Sequence, residues 1–231
     1  MPRPTRARSL VGVNTRTSAP VAVAILAAVA PLVVAAPAQA VPSVSPQAAA
    51  DGLVDVRTAV PDAIIDMRYA TTDNFTHVRL YPANARCLVH NSMASGLAAA
   101  GGQLRGKGLR LVFWDCYRPH SAQVKMWEVV PNAAWVAKPG NMATSHESGR
   151  SVDVTLAQRD GRRLDMGTGF DDFTAASHAD AQGIGKAAQQ NRATLRRAME
   201  SGGLSPYQGE WWHFDGPGSK TPRPHLRAPV N

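Results

Sequence analysis

Two segments more than fifty residues apart hold the residue types that a catalytic metal centre needs. One runs Ser145-His146-Glu147-Ser148-Gly149-Arg150-Ser151-Val152-Asp153, and the other runs Glu210-Trp211-Trp212-His213-Phe214. His146, Asp153 and His213 offer two imidazoles and a short carboxylate. Three such N/O ligands would leave the fourth tetrahedral position on zinc to water. Glu210 is then left over as a general base for that water. The set contains no thiolate, so it suits an open hydrolytic site better than a closed structural one.

The spacing makes structural demands. His146 and Asp153 must face one point across Gly149, where the chain can turn. Glu210 and His213 stand three apart, and on a regular strand such residues point to opposite faces. For both to serve one site, a bulge must break the alternation near Trp211-Trp212. The two tryptophans read as packing walls. Arg118 leaves a short apolar run just before Pro119, and two readings stand side by side. It is either a guanidinium that stabilises an oxyanion or the structural partner of a nearby acid such as Asp115. Glu147, beside the metal-type histidine, reads as a solvent-facing carboxylate.

These groups need a frame. Ser151 to Leu156 alternates, with Val152, Val154 and Leu156 on one face and Ser151, Asp153 and Thr155 on the other, as in a strand. Leu109 to Trp114 is a second apolar, β-favouring run. Ala63 to Tyr69 is strand-like, and Glu210 to Phe214 reads as the last strand. Helices are expected over Leu88 to Leu104, over a segment opened by Pro119 with Val124, Trp127 and Val130 inward, and over Asn191 to Ser201 with Leu195 and Met199 inward. The tail from Gly216 is loop-like. Helices and strands without βαβ regularity imply an α+β domain, with a small antiparallel sheet flanked by helices.

The ends and the composition bound the setting. Arg3, Arg6, Arg8 and Arg16 precede an apolar Val21 to Ala36, and Ala38-Gln39-Ala40 follows. This order is that of a secretory signal peptide over residues 1–40, cut after Ala40. Export to the cell envelope or medium is therefore expected, with no stable membrane anchor after cleavage. Losing the leader's four Arg would take the formal charge from +8 to +4. With no dense basic stripe interleaved with aromatics, nucleic acid is not an expected partner. Residues 41–52 read as a flexible Pro/Ser/Ala-rich tail and 53–231 as one domain. The two cysteines, Cys87 and Cys116, are expected to form a disulfide in an oxidising compartment.

The chain resembles the zinc D-alanyl-D-alanine dipeptidases, the vancomycin-resistance type and its chromosomal relatives. The resemblance rests on five segments in order: Tyr69 to Thr76, Trp114 to Pro119, Ser145 to Asp153, Met166 to Asp171 with Ser177-His178, and Glu210 to His213. It implies one Zn²⁺ on His146, Asp153 and His213, Glu210 as general base and later proton donor, and Arg118 as stabiliser of the tetrahedral intermediate. It further implies that Asp171 holds the free ammonium of a small D,D-dipeptide and that Tyr69 lines the pocket. Asp171 read on its own would be a helix cap or turn residue. Cys116 departs from the small residue of the resistance-type proteins. The expected activity is hydrolysis of D-alanyl-D-alanine in cell-wall turnover or glycopeptide resistance. Two alternatives remain: a zinc D,D-carboxypeptidase for longer wall peptides, and a zinc-holding binding protein without catalysis.

Overall fold

In a computed structural model, the structure describes Met1, Gly12 and residues 40–231. The expected leader lies outside the described residues. Residues 40–231 form a compact unit of their own.

The unit is built around a five-stranded sheet. In chain order the strands are β1 (Leu53–Asp55), β2 (Ile64–Ile65), β3 (Leu88–His90), β4 (Leu109–Asp115), β5 (Ser151–Gln158), β6 (Ser205–Tyr207) and β7 (Glu210–Asp215). The helices are α1 (Pro46–Ala50), α2 (Ala94–Arg105), α3 (His120–Val129) and α4 (Lys186–Ser201). The main sheet runs β2-β4-β5-β7-β6, and β1 pairs with β3 in a separate ribbon. All pairings are antiparallel except β2 with β4. The architecture is the expected α+β domain with a small, mostly antiparallel sheet.

The alternation in β5 decides what the sheet does. Val152, Val154 and Leu156 join Leu97, Leu104, Leu195 and Met199 in the hydrophobic core. Asp153 is left on the opposite face. Helices α2 and α4 lie against each other closely enough that a Cβ on Gly96 would run into the Gly202 carbonyl. Glycine is required there by the approach of two backbones.

Three expectations change. Residues 41–52 do not form a loose tail: Ser45 caps α1 by accepting from the Ala48 amide at 3.1 Å. Arg86 donates to the Pro42 and Ser43 carbonyls at 2.6 and 2.9 Å, and Asp51 accepts from the Arg227 and Ala228 amides. Composition suggested flexibility, but these long-range partners lie far away in sequence. The helix expected from Leu88 starts only at Ala94, because Leu88–His90 finds an extended partner in Leu53–Asp55. In α3 the fully buried residues are Ala122, Gln123 and Met126; Trp127 packs against the core as expected, whereas Val124 and Val130 are half-buried and lie outside it.

Cys87 and Cys116 are bridged, with Cα atoms 5.2 Å apart. The bridge joins the residue before β3 to the residue after β4. Beside it, the Tyr117 amide donates to the Leu88 carbonyl at 2.8 Å.

Candidate active site

The centre of the sheet lays three functional positions in one row. Asp115 on β4 is paired with Asp153 on β5, and Asp153 with His213 on β7. Cross-strand partners bring their side chains together on one face. A register shift between Phe113 and Asp115 places Asp115 in this row and leaves Trp114 as the extra residue. The bulge demanded of the last strand is also present. Pro206 pairs with Phe214 and Tyr207 already with Glu210, so Trp211 to His213 are extra residues on β7. This break brings a Glu210 carboxylate oxygen to 4.0 Å from His213 Nδ1.

His146 enters from a single 3₁₀ turn, Ser145–Ser148, that ends at Gly149 with φ +67°. Only glycine adopts that conformation at little cost. The Gly149 carbonyl accepts from the His90 amide at 2.7 Å, which anchors the turn to β3. A Cβ at Gly149 would lie 2.7 Å from Leu53 Cδ2 and 3.1 Å from the His90 nitrogen. Gly149→Ala is therefore expected to destabilise the fold by roughly 2 to 4 kcal/mol, from the left-handed backbone and the overlap together. It should also weaken metal binding, since His146 and Asp153 flank it. Thermal unfolding followed by circular dichroism checks the first effect; a melting temperature equal to wild type would contradict it.

Three donor atoms converge. His146 Nε2 is 3.1 Å from His213 Nδ1 and 3.3 Å from Asp153 Oδ1, and His213 Nδ1 is 3.1 Å from the same oxygen. Bonds of about 2.0–2.1 Å to a tetrahedral ion set ligand atoms roughly 3.3 Å apart. The triad thus fits zinc with almost no rearrangement. The outer nitrogens are also committed. His146 Nδ1 donates to the Cys116 carbonyl at 2.9 Å, and His213 Nε2 donates to Asp215 at 3.1 Å. Asp215 is fixed in turn by the Ser151 hydroxyl at 2.5 Å. Such outer partners set tautomer and ring orientation at metal sites. The disulfide holds the very carbonyl that orients His146.

The charges follow the same geometry. Burial opposes a charge on His213, but hydrogen bonds with Asp153 and Asp215 outweigh it and push its pKa up to about 10. Burial alone would raise the Asp153 carboxyl, yet the two histidines hold it well below the usual range. Asp215 falls to about 2, because its hydrogen bond with His213 outweighs its own burial. A proton on His213 and a metal ion compete for the same acceptors. Glu210 is pushed upward, chiefly by burial, with Asp153 adding to it against the pull of His213.

The triad forms part of the wall of a cavity of about 370 Å³ that is also lined by Tyr69, Arg118, Asp171 and Glu210. The structure therefore gathers all seven singled-out residues around one space. Arg118 is the structural partner of Asp115 that one reading allowed, and it lines the cavity as well. Its Nε and Nη2 donate to Asp115 at 3.0 and 2.7 Å, its Nη1 donates to Gln123 at 2.8 Å, and it still faces the cavity. Burial works against its charge, but Asp115 keeps it firmly protonated. Asp171, at φ +58°, accepts from the Tyr69 hydroxyl at 3.1 Å and from the Phe75 amide at 3.4 Å. Burial, and then the like charge of Asp153, push its carboxyl well above the usual range.

Some contributors escaped the sequence reading. Gln123 holds Arg118 and donates to the Ala137 carbonyl at 2.6 Å, tying the guanidinium to a loop of the cavity wall. A polar residue in the apolar stripe of α3 was the available signal. Asp215 stands two residues after His213, on the same strand face, and that period could have found it.

The profile of the family described as D-ala-D-ala dipeptidase matches residues 49–231. The chain belongs to this family. Among its relatives, the D-alanyl-D-alanine dipeptidase of Escherichia coli is 38% identical over 165 residues, 71% of this chain and 84% of its own length. That of Enterococcus faecalis is 36% identical over 170 residues, 64% of this chain and 83% of its own. A solved vancomycin-resistance D,D-pentapeptidase in complex with zinc overlays at a TM-score of 0.37 and 15% identity, over 61% of this chain and 84% of that one. That likeness is too distant to bear on the site. As a family member the chain is a metallopeptidase of the D,D-dipeptidase group.

Proposed function

We propose that this D,D-dipeptidase family member is a zinc enzyme that hydrolyses free D-alanyl-D-alanine to two D-alanines. The observation that carries the reading is one cavity shared by a metal-type triad, a carboxylate at Glu210 that stops 4.0 Å from His213, and a carboxylate at Asp171 that accepts from the neutral donors Tyr69 and Phe75.

His146, Asp153 and His213 would hold the zinc. When bound, the ion supplies Lewis-acid polarisation and makes water acidic near neutral pH. The protein's own groups do the rest. Glu210 accepts a proton from the attacking water and later delivers it to the departing amine. Its upward-shifted carboxyl suits a group that must both take and give a proton. Arg118, locked by Asp115 and Gln123, presents a preorganised positive charge toward the carbonyl oxygen as negative charge develops there. Asp171 receives the substrate ammonium, which supplies the counter-charge that its neutral partners do not. Tyr69 donates its hydroxyl to Asp171 and lies under Arg118, 5.3 Å from the guanidinium carbon. It thereby links the two ends of the substrate site.

The leader-like residues 1–40 place this activity, in our reading, at the envelope or outside the cell. There a catalytic domain spanning residues 53–231 would meet dipeptide released from the wall, in turnover or in glycopeptide resistance. No helix among the described residues is long and apolar enough to cross a membrane.

The test is amino-acid release by the zinc-supplied protein from D-alanyl-D-alanine, its N-acetyl derivative and a wall pentapeptide. Cleavage of the free dipeptide alone is expected. Cleavage of the blocked or longer peptide would make the protein a D,D-carboxypeptidase. Zinc binding without any cleavage would leave only a binding role.

A further inference from the structure

A second group of ligand-type side chains lies outside the triad. His120 is the first residue of α3, Glu147 follows His146 in the 3₁₀ turn, and His225 belongs to the C-terminal segment. Glu147 does not face open solvent as expected: its side chain is only 12% exposed. One of its oxygens lies 2.7 Å from His120 Nδ1 and 3.5 Å from His225 Nδ1. A donor atom from each of the three residues falls within 4.8 Å of the others. Adjacent residues of a tight turn point in different directions, so His146 serves the first centre while Glu147 serves this one.

The hydrogen-bond balance of His225 gives the group its meaning. Its Nε2 is 3.0 Å from the Gly140 carbonyl, an acceptor, so Nε2 must carry a proton. In the neutral ring the lone pair is then on Nδ1. That Nδ1 is enclosed and has no hydrogen-bond partner among the described residues. It faces a carboxylate oxygen, also an acceptor. Two acceptors brought this close in a shielded place call for positive charge between them. The His120 ring stacks over the His225 ring, with centroids 3.9 Å apart and planes 34° apart. Two imidazolium ions would resist that contact by like-charge repulsion.

We propose that His120, Glu147 and His225 form a second site for a divalent transition ion, distinct from His146, Asp153 and His213. Two imidazole nitrogens and one carboxylate oxygen select zinc or a neighbour such as cobalt, nickel or copper over calcium or magnesium. The 3.5 Å spacing already suits such an ion. The 2.7 Å pair opens by a few tenths of an ångström once the ion replaces the proton between its atoms. The site is a positioning device. It joins the C-terminal segment to the turn that carries His146 and to the start of α3 just beyond Arg118.

The test counts zinc by equilibrium dialysis and elemental analysis of the purified protein. Wild type should bind two zinc ions per chain, and His225→Ala one. His146→Ala should keep one, and its melting temperature should still rise on adding zinc. The double variant His146→Ala/His225→Ala should bind none. If His225→Ala melts early in chelator, His120→Ala carries the same expectation from a different element. One zinc in wild type under excess zinc, or two retained in both His225→Ala and His120→Ala, would overturn the proposal. Loss of both ions in His146→Ala would overturn it too, because the second site would then not stand alone.

Discussion

Glu210→Gln is expected to lower kcat on D-alanyl-D-alanine by about a thousandfold or more while zinc stays bound. A positioned general acid-base contributes about 10²–10⁴ in rate, and here one carboxylate is asked to perform both proton transfers. Glutamine keeps the size of the side chain and one acceptor oxygen, and loses the charge and the ability to exchange the proton. The geometry separates this role from ligation. The Glu210 carboxylate stops 4.0 Å from His213 Nδ1, whereas the three converging donor atoms lie 3.1–3.3 Å from one another. Steady-state kinetics and zinc content, measured on the same preparation, make the distinction. Activity within tenfold of wild type would remove Glu210 as the base. Loss of zinc with activity would make it a ligand instead.

How far this arrangement could be read beforehand depended on whether the determinants were local. The alternation around Asp153 needed only the period of a strand, and β5 follows it. The Glu-x-x-His spacing conflicted with strand geometry, and that conflict pointed to a real bulge on β7. What failed was non-local. Leu88–His90 is helical by its neighbours but extended because Leu53–Asp55 lies beside it. Residues 41–52 look loose until Arg86 and Arg227 reach them. Glu147 looks like a surface carboxylate until His120 and His225 arrive from either side. In each case the partner lies at least 27 residues away, beyond any local pattern. The outer supports of the site, Gln123 and Asp215, stand between these extremes. Each left a local trace that acquires meaning only once Arg118 and His213 are placed.

Asp171→Asn is expected to cost the free dipeptide about 10²–10³ in kcat/KM and to erase the preference for it over the N-acetyl derivative. Removing one partner from a shielded, hydrogen-bonded charge pair costs about 2–5 kcal/mol, and the ammonium would meet an amide dipole in place of a full charge. The substitution is mild in structure. Asparagine tolerates the left-handed backbone at φ +58°, and its carbonyl can still accept from the Tyr69 hydroxyl and the Phe75 amide. Stability should move the other way. Asp171 has a folded-state pKa raised above its unfolded value, so the folded protein binds that proton more tightly than the unfolded chain. Its contribution to stability is present below the unfolded pKa and is lost as pH rises through the folded one. Burial of this carboxyl beside Asp153 thus disfavours its charged form in the fold, a cost that asparagine does not carry, and the variant should melt no lower than wild type. Kinetics on both substrates, beside a melting curve at pH 7, test the two halves together. Retained discrimination between free and acetylated dipeptide would place the ammonium site elsewhere. Lost activity with a lowered melting temperature would reduce Asp171 to a structural turn residue. The expected pairing of lost selectivity with undiminished stability is what a carboxylate kept for substrate, at the expense of the fold, should produce.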